Sequence, residues 1–89
     1  MTVRKHIFFY GRVQGVGFRY HATYKARLLG LTGWVRNCSD ESVEMEVQGE
    51  PGKIDDLILY LYGQRPIRID EMKEEKTELK KENSFREKW

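Results

Sequence analysis

The amino-acid sequence predicts an α+β fold in which two helices pack on one face of a four-stranded antiparallel sheet, all in a single domain over residues 1–89. Three observations predict it. The apolar period switches between two and 3.6 residues in the order strand, helix, strand, strand, helix, strand. The segment 42–48 alternates strictly, Val43, Met45 and Val47 against Glu44, Glu46 and Gln48, as a sheet covered on one face requires. Both helical segments carry one apolar stripe and so have one face to bury. A chain of 89 residues supports one modest core.

Val3 to Tyr10 reads as the first strand, with Ile7 and Phe9 toward the core and His6, Phe8 and Tyr10 on the other face. His6 is expected to be partly exposed, without a ligand role. From Phe18 the period lengthens: Phe18, Ala22, Ala26 and Leu29 form one helical stripe, and Gly30 follows as the helix stop. His21, one turn from Arg19, reads as a helix-surface histidine. Trp34 to Cys38 and Ser42 to Gln48 form a hairpin through Ser39-Asp40-Glu41. Asp40 is followed by Glu41, so a non-glycine must accept a positive φ there or the turn must change type.

Glu50-Pro-Gly-Lys53 leads into a second helix with Ile54, Leu57, Ile58 and Leu61 at i, i+3, i+4 and i+7, ended by Gly63. Asp55-Asp56 and the shortage of basic residues mark its apolar face as core-facing, not membrane-bound. Beyond Pro66, residues 70–82 are charge-rich and helical by propensity alone. Their four-apart pairs, such as Asp70/Glu74, Glu74/Glu78 and Lys76/Lys80, have like charge, which disfavours a helix. An extended strand from about Ile67 to Glu75, with a mobile tip beyond, fits better. The order β-α-β-β-α-β is that of the ferredoxin-like sandwich.

The chemistry concentrates between Tyr10 and Arg19. An aromatic strand stops at Gly11, and Gly11, Gly15 and Gly17 lead directly into a helix start. Glycines let the backbone turn tightly and bring N–H groups near a ligand. A helix N-terminus adds unpaired donors and a positive dipole end, and Arg19 adds a forked cation. Gly-Phe-Arg stands where a Walker loop needs Gly-Lys-Ser/Thr. Tyr20 stands where a dinucleotide loop needs its third glycine. From these residues alone the stretch is an anion site of unassigned type.

Gly11-Arg-Val-Gln-Gly-Val-Gly-Phe-Arg19 resembles the first signature of the acylphosphatase family, and Gly33-Trp-Val-Arg-Asn37, followed by Ser42-Val43 and Gly49, resembles its second. The resemblance covers nearly the whole chain and implies the ferredoxin-like fold. It also implies a strand, a loop and a short final strand at the C-terminus, with Phe85 and Trp89 as closing aromatics. Glu87 departs from the pattern, standing where the family prefers an apolar strand residue, and is expected to affect the packing of that edge strand only. The implied activity is hydrolysis of the carboxyl–phosphate bond of small acyl phosphates, without metal, cofactor or covalent intermediate. Backbone N–H groups of Gly15, Val16, Gly17 and Phe18 and the guanidinium of Arg19 would hold the phosphoryl group. Arg19 and Asn37 would be the catalytic pair, with Asn37 positioning the water and the substrate's own phosphate taking its proton. Cys38 is expected to be an inert, half-buried thiol, since Glu44 stands where a cysteine-phosphatase loop needs its arginine.

Charged residues make up 34% of the chain with a net charge of +2, a balanced surface that does not call for nucleic acid or membrane. The outward residues of 42–48 include no aromatic to stack a base. One cysteine forms no internal disulfide and lacks partners for a metal. No apolar run is long enough to span a bilayer and none reads as a signal peptide. The expectation is a cytoplasmic monomer acting on a small molecule. The alternative is a non-catalytic phosphate- or carbamoyl-phosphate-binding module of the same fold, as found inside larger carbamoyl-transfer maturation proteins. The single-domain length favours a stand-alone enzyme.

Overall fold

The computed structural model describes residues 1–89. The elements run β1 (Val3–Arg12), α1 (Phe18–Leu28), β2 (Thr32–Asn37), β3 (Val43–Gly49), α2 (Pro51–Tyr62), β4 (Arg68–Thr77) and β5 (Phe85–Lys88). The sheet order is β4-β1-β3-β2-β5. Four of these strands make the expected antiparallel ferredoxin-like sheet. The expected count of four is corrected to five, because β5 adds itself in parallel to the free edge of β2, with Gly33 opposite Phe85 and Val35 opposite Glu87. The fifth strand covers an edge that would otherwise present unpaired backbone groups.

Registry places the apolar halves of the strands on one face. Phe9 lies opposite Val43 and Ile7 opposite Met45, while Val35 meets Met45 from the other side. These five residues are fully buried, together with Ala22 and Ala26 of α1 and Ile54, Leu57 and Leu61 of α2. The helix stop after α1 follows from its hydrogen bonds. Gly30 donates to the Arg27 carbonyl at 3.1 Å and Leu31 donates to the Ala26 carbonyl at 2.9 Å, a Schellman closure with Gly30 at φ +71°. Leu31 is thereby returned to the core. β1 runs two residues past the expected end at Tyr10. Gly11 and Arg12 continue the pairing with Ile69 and Arg68 after a register shift.

The outer face of the sheet is less bare than its alternating pattern predicts. Glu44 and Glu46 point outward as expected but are only 7% exposed. Residues 78–84 cross that face: Lys80 donates its backbone N–H to Gln48 Oε1 at 2.9 Å, and Gln48 Nε2 donates to the Lys80 carbonyl at 3.0 Å. Beneath them Arg4, its side chain wholly buried, donates to Glu46 and Glu82 at 2.6 Å each. Glu44 accepts from Arg36 Nε at 2.6 Å and lies 2.6 Å from His6 Nε2. One-face coverage is therefore corrected to an apolar layer on one side and a partly roofed ionic layer on the other. Phe85 closes the core, whereas Trp89, one residue past the end of β5, is 93% exposed, with Arg19 over one face of its ring.

Burial opposes the charge of Glu44, but hydrogen bonds from Arg36 and His6 outweigh it and hold the carboxyl below its ordinary range. Burial likewise opposes charge on Glu46, and Arg4 and Lys80 outweigh it in the same direction. A carboxyl with a depressed folded pKa stabilises the fold above its unfolded value of about 4.3, and loses that contribution as pH falls through the folded value. Urea midpoints should hold level near neutrality and decline steadily below about pH 4.5, and Glu46→Gln should start lower and decline less. A midpoint that stays level down to pH 3, or an unaltered slope in Glu46→Gln, would contradict the ionic layer.

Candidate active site

β1 delivers the chain to the loop 13–17 and α1 takes it away, and apolar anchors fix both ends. Val13 and Phe18 are buried, and the Phe18 ring lies 4.9 Å from that of Phe9. Val16, the middle anchor, packs against the core. Between the anchors Gly15 and Gly17 adopt φ +73° and +82°, the left-handed region that L side chains resist. Gly17 is also the N-cap of α1. It has no side chain to cap with, and the first turn holds no acidic residue.

The result is a helix start without its usual partners. The first backbone bond of α1 runs from the His21 N–H to the Gly17 carbonyl at 2.9 Å, and no N–H from Gly15 to Tyr20 has a backbone acceptor. The positive end of the helix dipole adjoins the space beside Gly15, Gly17 and Phe18. That space is a cavity of about 170 Å³, lined among others by Gly15, Gly17, Phe18, Arg19 and Asn37. Five of the six residues singled out from sequence thus share one cavity. Val16 does not line it, since its side chain belongs to the core and only its backbone can serve a ligand.

Arg19 is half-buried and held on two sides. Its Nη1 donates to the Lys88 carbonyl at 3.2 Å, and its Cζ lies 4.1 Å from the centre of the Trp89 ring. The C-terminal strand therefore orients the arginine, a role for β5 and Trp89 that periodicity does not reveal. Asn37 comes from the end of β2, opposite Val43. Gln14 links the two halves: its Nε2 donates to the Cys38 carbonyl at 2.7 Å and to the Ser42 carbonyl at 2.8 Å. Gln14 went unassigned in the sequence because a loop glutamine carries no periodic signal. Glu87 also went unassigned to the site, yet it lines the cavity. Its effect on packing alone is corrected: Glu87 also forms part of the wall of the cavity that Arg19 and Asn37 line.

The turn that carries Asn37 resolves the question raised by Glu41. Glu41 donates its N–H to the Cys38 carbonyl at 3.2 Å, Cys38 donates to the Ser42 carbonyl at 2.9 Å, and Glu41 itself accepts φ +73°. This is a type I turn with a bulge, with glutamate in the position that glycine favours. Asp40 reinforces it. The Ser42 hydroxyl and then the Ser42 N–H donate to its carboxylate, and both hold the carboxyl below its ordinary value. His21 Nδ1 lies 3.4 Å from the Tyr60 phenol oxygen, and the Cδ2–Nε2 edge of the same ring lies beside Gly17, although His21 is not itself among the lining residues. Cys38 is half-buried with Sγ 3.8 Å from Glu44 Oε1. No three His, Cys, Asp or Glu side chains converge to hold a metal ion. No helix is long and apolar enough to cross a membrane.

A family model described as Acylphosphatase matches residues 5–87. A curated relative named Acylphosphatase, from Bifidobacterium longum, is 57% identical over 56 residues, which are 63% of this chain and 58% of the relative. The match therefore spans less than two thirds of that relative's length. Another of the same name, from Thermococcus kodakarensis, is 46% identical over 65 residues, 73% of this chain and 71% of the relative. The solved structure of an acylphosphatase from Coxiella burnetii matches with a TM-score of 0.89 at 33% identity, covering 98% of this chain and 93% of that one.

Replacing Glu41 by glycine should relieve the left-handed strain and raise the free energy of unfolding by about 1 kcal/mol, measured by urea denaturation. A loss of stability in that variant would contradict the strained turn.

Proposed function

The chain belongs to the acylphosphatase family, and from that premise and the cavity we propose that it hydrolyses small acyl phosphates to carboxylate and inorganic phosphate. The observation that carries the reading is the run of unpaired N–H groups from Gly15 to Tyr20, with Arg19 and Asn37 lining the same cavity. An acyl phosphate has a leaving group that needs no protonation, because a carboxylate departs readily. What remains is to hold the phosphoryl group, spread its charge and aim one water along the bond that breaks.

The backbone donors of Gly15, Val16, Gly17 and Phe18 take the phosphoryl oxygens, and Arg19 neutralises the charge they carry. Lys88 and Trp89 already orient that guanidinium, so little side-chain freedom is lost on binding. Asn37, which both donates and accepts, holds the water. The bond from phosphorus to water forms as the bond to the carboxylate breaks. The carboxylate leaves with the electron pair, and both protons of the water end on phosphate, one of them transferred to a phosphoryl oxygen. No protein group need exchange a proton: a phosphoryl oxygen takes it, and neither Glu87 at the wall nor His21 beside Gly17 is required. The reading extends to a cytoplasmic monomer acting on a small molecule, supported by the mixed-charge surface and the single cysteine. It includes no nucleic-acid role, supported by the ion-paired Glu44 and Glu46 on the outer sheet face.

Benzoyl phosphate should be hydrolysed at the same rate with and without EDTA. Arg19→Ala should lower kcat/KM by roughly three orders of magnitude and weaken inhibition by inorganic phosphate. Asn37→Ala should lower kcat about a hundredfold or more with little change in KM. Near-normal kcat in Asn37→Ala would remove the assigned role for the water, and phosphate binding without turnover in the unaltered protein would favour the non-catalytic module. Glu87→Gln should lower KM several-fold by removing like charge from the anion's wall; an unchanged or higher KM would contradict that placement.

A further inference from the structure

Beside the cradle lies a larger groove of about 570 Å³. One side is a stripe of α1, Tyr20, Thr23, Tyr24, Arg27 and Leu28, and the other is Arg86 and Glu87 of β5. Tyr20 and Glu87 also line the cradle, so the two spaces share a wall. The cradle at about 170 Å³ is smaller than the roughly 300–1,000 Å³ of ordinary small-molecule sites, whereas the groove falls within that range. A ligand whose head fills the cradle must place the rest of itself elsewhere.

The stripe follows the i, i+3, i+4, i+7, i+8 spacing on the side of α1 that faces β5, and it is not the stripe that builds the core. Tyr20, Tyr24 and Leu28 are 65, 50 and 63% exposed, a contiguous apolar surface rather than scattered residues. Thr23 lines the groove, is 8% exposed, and its hydroxyl has no hydrogen-bond partner in the protein. Seven residues along the helix, about 10 Å from Tyr20, Arg27 spends its Nε on the Phe85 carbonyl at 2.9 Å. Neither Arg27 nor Arg86 has a carboxylate partner, unlike Arg4, Arg36 and Arg68. Glu87 at the shared wall repels an anion close to the cradle, so a second negative group belongs at the arginine end.

We infer that this groove is the acyl subsite, and that it takes acyl phosphates whose acyl group has an aromatic or extended apolar body ending in a carboxylate. The inference rests on the cradle being the phosphoryl site of a hydrolase. The ring would lie between Tyr20, Tyr24 and Leu28, and the distal carboxylate would meet Arg27 and Arg86.

The test compares acetyl phosphate, whose methyl group stops at the shared wall, with benzoyl phosphate and 4-carboxybenzoyl phosphate. It uses the unaltered protein, Leu28→Asp and Arg86→Glu, both changes being at exposed positions. The unaltered protein should favour 4-carboxybenzoyl over acetyl phosphate by about tenfold or more in kcat/KM. Arg86→Glu should cut that preference several-fold through KM and leave the benzoyl-to-acetyl ratio alone, while Leu28→Asp should cut both ratios. Ratios that stay the same in both variants, with acetyl phosphate still hydrolysed, would overturn the acyl subsite and leave the cradle standing. Failure of the unaltered protein to hydrolyse any of the three would bring down the cradle reading and the subsite together.

Discussion

A helix that begins on a left-handed glycine cannot cap itself, and that constraint organises this molecule. Gly17 holds φ +82° at the start of α1 and contributes no side chain. Burying or strongly screening such a start would leave polar donors without partners, at a cost of about 1–3 kcal/mol each. The structure instead leaves them lining an open cavity, where water or an anion satisfies them. The apolar anchors make the arrangement rigid. Phe9, Val13 and Phe18 are buried within the common core, so the loop between them has little freedom to collapse onto its own donors.

The cavity wall is drawn from parts of the chain that lie far apart in sequence. The loop, the end of β2 and the C-terminal strand meet at one end of the sheet. Gln14 ties the loop to the carbonyls of Cys38 and Ser42, so its position is coupled to the turn that carries Asn37. Two arginines of α1 bond to β5, Arg19 to the Lys88 carbonyl and Arg27 to the Phe85 carbonyl. A four-residue edge strand is thus secured by side chains as well as by its ladder with β2. The same side-chain bonds orient Arg19 toward the space where it is needed. Stability and site geometry share these contacts.

Much of this was legible in the sequence for definite reasons. Strand and helix stripes such as Ile7/Phe9 and Ile54/Leu57/Leu61 are periodic, and periodicity survives without coordinates. Gly30 and Pro51 mark helix ends by their backbone chemistry. The glycine loop was readable because glycines, apolar anchors and an arginine occur there in a fixed order. What could not be read depends on long-range placement. The path of residues 78–84 is set by Gln48, Arg4 and Glu46, which lie over thirty positions away in the chain. The outward glutamates look solvated in an alternating strand, yet Glu44 is covered by Arg36 and His6, and Glu46 by Arg4 and by Lys80 of the crossing segment. Glu87 belongs to a strand too short to show a period and Trp89 lies just past its end, so their nearness to the cavity and to Arg19 was hidden. The outer stripe of α1 was masked because the core-facing stripe of the same helix accounts for its burial.

Backbone amide shifts in two-dimensional ¹H–¹⁵N spectra, followed as inorganic phosphate is added, test the central claim most directly. The largest changes should fall on Gly15, Val16, Gly17, Phe18 and Arg19, saturate with a single binding constant, and vanish in Arg19→Ala. Amides of that loop that stay fixed, while shifts spread over the lysines of β4 and the segment that follows it, would mean that the unpaired donors serve no anion.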